Sequence, residues 1–138
     1  MPKHSVLIVG AGISGMRAAL AAKERGSDVA LISKVHPLRT AGGTSQGGVN
    51  AAVRDGDSAE LHATDTVRGG DYLADQDAVA LLTGAARRAV IALDHWGVPF
   101  NRDASGRLDA RGLSGATRPR ACFVDDMTGH AVVQVLHE

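Results

Sequence analysis

A run of four apolar residues, Val6-Leu7-Ile8-Val9, leads directly into Gly10-Ala11-Gly12-Ile13-Ser14-Gly15. No other stretch narrows the fold as much. Four consecutive apolar side chains suit a strand buried on both faces, because a half-exposed strand would alternate with polar residues. The glycines form G-x-G-x-x-G. The first allows the tight turn out of the strand. The second lets a pyrophosphate approach the backbone, and the third lets the next helix pack against the sheet. The open N–H groups at that helix's positive end would hold the phosphates. An ordinary glycine-rich turn would share the composition, but its place after a strand and at a helix start favours a dinucleotide site.

The bulk properties exclude more than they select. Fifteen basic and fifteen acidic residues balance, so no charged surface calls for nucleic acid or an anionic membrane. A length of 138 residues is enough for one domain with a core. Cys122 is the only cysteine, which rules out an internal disulfide and fits a reducing compartment. Lys3, an apolar run and Ala18-Ala19-Leu20-Ala21-Ala22 superficially resemble a signal peptide, but the glycine pattern and Arg17 argue against one. No apolar run approaches the ~20 residues of a membrane span, so membrane association would come through a partner.

In chain order, Ile13–Arg25 reads as a helix stopped by Gly26, and Val29–Ser33 as a second buried, parallel strand. That strand ends in Ser33-Lys34, where an NAD site would place an acidic residue; Asp28 lies at the wrong end. Ser33 and Lys34 are open to two readings, a ribose contact or a solvated strand end. The segment Arg39–Asn50 is rich in glycine, hydroxyl and amide residues and reads as a close-fitting loop whose backbone donors meet a cofactor. Asp57 and Ser58 offer an N-cap for a helix to about Arg68, ended by Gly69-Gly70. Asp75–Asp77 starts a longer helix whose core face is Val79, Leu82, Ala86, Ala89, Val90 and Leu93, stopped by Gly97 and Pro99. Phe100–Leu108 reads as a hairpin around Ser105-Gly106, Arg111–Pro119 as a loop, and Asp126 or Thr128 as the cap of a last helix. The fold class is therefore α/β: an incomplete Rossmann-like dinucleotide-binding domain, with one βαβ unit plus helices and a hairpin.

At this point a family resemblance enters. Val6–Gly15, Leu31-Ile32-Ser33-Lys34, Gln46-Gly47-Gly48, Asp65-Thr66-Val67, the run Gly69–Ala78, Trp96-Gly97-Val98-Pro99-Phe100 and Asp126-Met127-Thr128-Gly129-His130 together resemble the flavoprotein subunit of succinate dehydrogenase and fumarate reductase, with L-aspartate oxidase as a relative. The resemblance covers nearly the whole chain, but only the family's N-terminal portion. It implies that residues 1–138 are the front of the FAD-binding domain, with the capping and substrate domain elsewhere. It implies FAD as cofactor. Gly10, Ala11, Gly12, Ile13, Ser14 and Gly15 would take the pyrophosphate, and Ser33 and Lys34 the adenosine ribose. Thr40, Ala41, Gly42, Thr44, Ser45, Gln46, Gly47 and Gly48 would wrap the flavin side. It further implies hydride exchange between flavin and a C4 dicarboxylate. The partner would be an iron–sulfur subunit, and the location cytoplasmic or peripheral on the inner face of the cell membrane.

Three departures qualify that expectation. Many members join a histidine covalently to the flavin; aligned on Gln46-Gly47-Gly48, that position is Ala41, and His36 is not its equivalent, so the FAD is expected to be non-covalent. The family's Arg-Pro-Phe-Gly-Gly-Gln near the substrate is here Arg111-Gly112-Leu113-Ser114-Gly115-Ala116, which weakens the dicarboxylate assignment. The family's proton-donating arginine and carboxylate-gripping residues have no counterpart in this segment, so no catalytic residue is assigned. An aspartate-oxidase-like soluble flavoenzyme and a non-catalytic FAD-binding module are the alternatives. Arg118 and Arg120 read as a solvated loop, with Arg120 the better anion candidate of the two. His62, His95 and His130 read as structural, Cys122 as a small core or loop residue, and no His/Cys cluster suggests a metal.

Overall fold

The computed structural model describes residues 3–138. They form two compact units: the residues up to Ser45 together with Gly129–Glu138, and the continuous stretch Gln46–Thr128.

In the first unit, β1 (Val6–Val9) pairs in parallel with β2 (Val29–Ile32), in the register Val6↔Val29 to Val9↔Ile32. The crossover is α1 (Ile13–Glu24), as the strand–turn–helix–strand order requires. Gly10 N–H closes the ladder on Ile32 O at 2.8 Å. A Cβ at Gly15 would lie 1.8 Å from Gly10 O, so α1 reaches the sheet only because residue 15 lacks a side chain. The expectation of strands buried on both faces does not hold within this unit. Leu7, Val9 and Ile32 are more than half exposed, while Val6 and Ile8 are partly covered. One helical layer covers one face, and burying the other takes a second layer. Two short 3₁₀ turns, Pro37–Arg39 and Ala41–Thr44, occupy what reads in sequence as plain loop.

The second unit is organised around a feature the hydrophobic pattern does not announce. β3 (Val49–Asn50) pairs antiparallel with β4 (Ala121–Cys122), joining positions more than seventy residues apart. Both strands are too short to show a period. α2 (Ala59–Gly69) is capped by Ser58, whose hydroxyl accepts from Leu61 N–H. α3 (Gln76–His95) is capped by Asp75, which accepts from Asp77 and Ala78 N–H at 3.0 and 3.1 Å. The two helices pack on each other. The buried stripe of α3 is Val79, Thr83, Ala86 and Val90; the expected core residues Leu82 and Ala89 are exposed. Thr83 enters the core because its hydroxyl donates to Val79 O at 3.0 Å, satisfying its one polar group within the helix. The expected hairpin is reduced to the single bridge Arg102↔Leu108, with the Asp103 carboxylate accepting the Ser105 and Arg107 N–H groups across the turn.

The last helix, α4 (Thr128–His137), has Thr128 as its first residue. The Thr128 hydroxyl accepts from Val124 N–H at 3.0 Å, fixing the turn before the helix. Ala131, Val132, Val133 and Leu136 are buried.

Candidate functional site

Within the first unit, the glycine turn, the end of β2 and Thr40 line one groove of about 380 Å³, formed by Val9, Gly10, Ala11, Gly12, Ile32, Ser33, Lys34 and Thr40. Gly12, the residue that caps α1, is part of its lining. Gly12 occupies the N-cap without a side-chain hydrogen bond, and no acidic residue lies in the first turn. The first helical bond is Met16 N–H to Gly12 O, at 3.0 Å. The N–H groups of Ile13, Ser14 and Gly15 therefore have no acceptor in the preceding turn, and the positive end of α1 opens into the groove. A Cβ at Gly12 would meet nothing within 4 Å. That glycine leaves a space the protein does not fill, as a close-approaching phosphate requires. Ser33 and Lys34 are both exposed at the groove, and Ser33 Oγ accepts from Val35 N–H at 3.4 Å.

Thr40 and Thr44 are partly committed elsewhere. Their hydroxyls donate to Pro37 O at 2.7 Å and Ala41 O at 2.8 Å, holding the two short turns in shape. Ala41, Thr44 and Ser45 are exposed and Gly42 is half-buried. His36 accepts from Leu38 N–H through Nδ1 and packs edge-on against His137, a structural use of both rings.

Gln46, Gly47 and Gly48 belong to the second unit. Gly48 has φ +104°, and a Cβ there would lie 2.7 Å from Cys122 O, so only glycine fits beside β4. The guanidinium of Arg111 donates to Gln46 O, and to Gly47 O at 3.3 Å, while stacking 4.5 Å from the Phe123 ring centroid.

The reading of Arg120 as a solvated loop residue is overturned. Arg120 is 2% exposed. Its Nε and Nη2 grip the Asp57 carboxylate, both at 2.8 Å, and Nη1 donates to Asp65. Asp65 also accepts the Thr117 N–H and hydroxyl, at 2.8 and 2.7 Å. These bonds, the one from Arg120 foremost, hold the Asp65 carboxyl down at about 2. Arg120 is thus fully occupied by two buried carboxylates and not available to an anion. Asp57, expected as a helix cap, is its bidentate partner, and the capping falls to Ser58. His62 is buried beside this cluster, and its Nδ1 has no hydrogen-bond partner among the described residues; burial, then the nearby Arg120 charge, lowers its pKa. His95 is exposed and His130 half-buried. Cys122 is fully buried, and desolvation pushes its thiol up to about 11, so it is an inert core residue.

Residues 5–138 match the family model described as an FAD binding domain. The chain belongs to that family. Its cofactor is FAD, and the open space over Gly12 and the uncapped positive end of α1 suit its pyrophosphate. Among relatives in this family, the fumarate reductase flavoprotein subunit of Mycobacterium tuberculosis is 39% identical over 138 residues, covering 99% of this chain and 24% of its own. The 8-methylmenaquinol:fumarate reductase flavoprotein subunit of Wolinella succinogenes is 43% identical over 134 residues, covering 94% and 22%. Among solved structures, the E. coli quinol fumarate reductase superposes with a TM-score of 0.93 at 38% identity, over 97% of this chain and 23% of the other. The chain thus spans about a quarter of the length of these relatives.

Proposed function

We propose that this chain is the FAD-binding part of a flavoprotein oxidoreductase of the succinate dehydrogenase/fumarate reductase type, which passes a hydride between flavin and a C4 dicarboxylate. The observation that carries the reading is the family match over residues 5–138, with relatives named for that activity. Bound FAD would supply the hydride acceptor or donor. The backbone from Gly10 to Gly15 would bind the pyrophosphate, Ser33 and Lys34 would meet the adenosine ribose, and Thr40–Ser45 with Gln46–Gly48 would lie along the flavin. Ala41, which carries no nucleophile, leaves the flavin non-covalently held. The groups that grip the dicarboxylate and deliver the proton belong to sequence outside 1–138, as does the rest of the FAD domain.

The electron partner in this reading is an iron–sulfur subunit, and any attachment to a membrane runs through partners. No helix among the described residues is long and apolar enough to cross a membrane. One observation favours a second reading of the substrate. The Gly112–Ala116 loop lacks the aromatic and amide of the family pattern, which fits an aspartate-oxidase-like enzyme acting on a different dicarboxylate. The test is to reduce the flavin of the full-length holoprotein and follow its visible absorption as fumarate is added. Reoxidation by fumarate supports the first reading. A flavin reduced by L-aspartate and indifferent to fumarate supports the second, and a flavin unmoved by any dicarboxylate leaves only an FAD-binding module.

A further inference from the structure

The contact between Arg111 and the glycine run has a consequence for the cofactor. A trans peptide is planar, with its C=O and the following N–H on opposite sides. The guanidinium of Arg111 takes the carbonyls of Gln46 and Gly47. The N–H groups of Gly47 and Gly48, which share those two peptides, are therefore turned to the face away from Arg111. Neither donates to another protein group among the described residues. Arg111 is itself fixed three ways. Its backbone bridges Ala121 through two hydrogen bonds of 3.1 Å. Its guanidinium lies over the Phe123 ring at 4.5 Å. The peptides it grips run into Gly48, whose φ of +104° and close approach to Cys122 O anchor them from the other end. Two adjacent donors are thus held parallel, backed by a cation that polarises both peptides in the donating sense.

We infer that Arg111 is a positioning residue for the flavin: it aims the Gly47 and Gly48 N–H groups at the electron-rich edge of the ring system and stabilises the negative charge that edge gains on reduction. This rests on the proposal that Gln46–Gly48 lie along the flavin. Gly47 offers an independent check on that proposal, because a Cβ there meets nothing within 4 Å of protein and its φ is not in the left-handed region. An alanine at 47 is therefore harmless unless a cofactor occupies the space.

The experiment compares wild type, Arg111→Gln, Arg111→Lys and Gly47→Ala as full-length proteins, each with FAD bound and as apoprotein. The readouts are FAD dissociation constant, flavin reduction potential and thermal midpoint. For Arg111→Gln, the expected results are a roughly tenfold weaker FAD dissociation constant and a more negative potential. Arg111→Lys, with a point charge in place of the fork, falls between it and wild type. Gly47→Ala weakens FAD without moving the apoprotein midpoint. Wild-type affinity and potential in both arginine variants, with Gly47→Ala impaired, overturn the role given to Arg111. All three variants matching wild type overturn the placement of the flavin and the inference with it. A potential unchanged in Arg111→Lys and Arg111→Gln while both lose thermal stability also overturns it, since a purely structural arginine would behave that way.

Discussion

Two glycines three residues apart separate fold from ligand binding. Gly15→Ala places a methyl 1.8 Å from Gly10 O. Backbone cannot yield as a side chain does, so the loss should be about 2–4 kcal/mol, visible in chemical denaturation with or without FAD. Gly12→Ala meets no protein atom. Its apoprotein should melt within about 1 kcal/mol of wild type, while FAD affinity falls by about an order of magnitude; a variant that binds normally would remove the pyrophosphate from this turn. The buried cluster makes the opposite kind of prediction. Arg120→Ala strands two carboxylates, and about 3–5 kcal/mol should be lost. Acid should act through the same residues. His62 has a folded pKa below its ordinary 6.5, so its contribution is complete above that value and is lost as pH falls below it. Asp65, held at about 2 against an ordinary 3.8, keeps its contribution above about pH 4 and loses it as pH falls toward 2. A thermal midpoint measured from pH 8 to pH 2 should decline in two stages, with the first reduced in His62→Gln. This cluster was the least legible part of the sequence. Asp57 looks like a cap and Arg120 like a loop residue because each was weighed against its neighbours, whereas they pair across 63 positions.

Elements were legible in proportion to their length and the sharpness of their ends. α1, α2 and α3 follow from periodicity and from Ser58, Asp75 and the glycines that bound them. Ser58→Ala should cost about 1 kcal/mol, and Asp75→Ala about the same, measured by denaturation of the apoprotein; a neutral Ser58→Ala would refute the Ser58 hydroxyl as the cap of α2. The βαβ crossover and the glycine turn at its mouth were also readable, since the glycine spacing encodes a turn, a helix start and a close approach together. β3 and β4 were not, because two residues hold no period and their pairing is non-local. The face of α3 was misjudged for a related reason. Leucine at 82 satisfies the helical spacing, but the buried stripe is set by what packs against it, and Thr83 fits where hydrophobicity alone would exclude it.

At the scale of the whole molecule, the prediction is chemical. With Ala41 where a linking histidine would stand, acid precipitation of the holoprotein should leave the yellow colour in the supernatant; a yellow pellet would refute non-covalent binding. The wider chain also bears on how the glycine turn is completed. Its unit is interrupted: residues up to Ser45 are rejoined by Gly129–Glu138 after the whole of the second unit. Gly129 N–H donates to Ser45 O at 2.8 Å, and Val133 sits so close to Gly42 that a methyl there would come within 3.3 Å. On a ribosome, which releases the chain from its N-terminus, the turn at Gly10–Gly15 emerges first, yet the helix that packs beside it arrives more than a hundred residues later. The stretch 46–128 can fold while that first unit still waits. Nascent chains arrested before α4 has cleared the exit tunnel should resist proteolysis in the second unit and remain cleavable in the first.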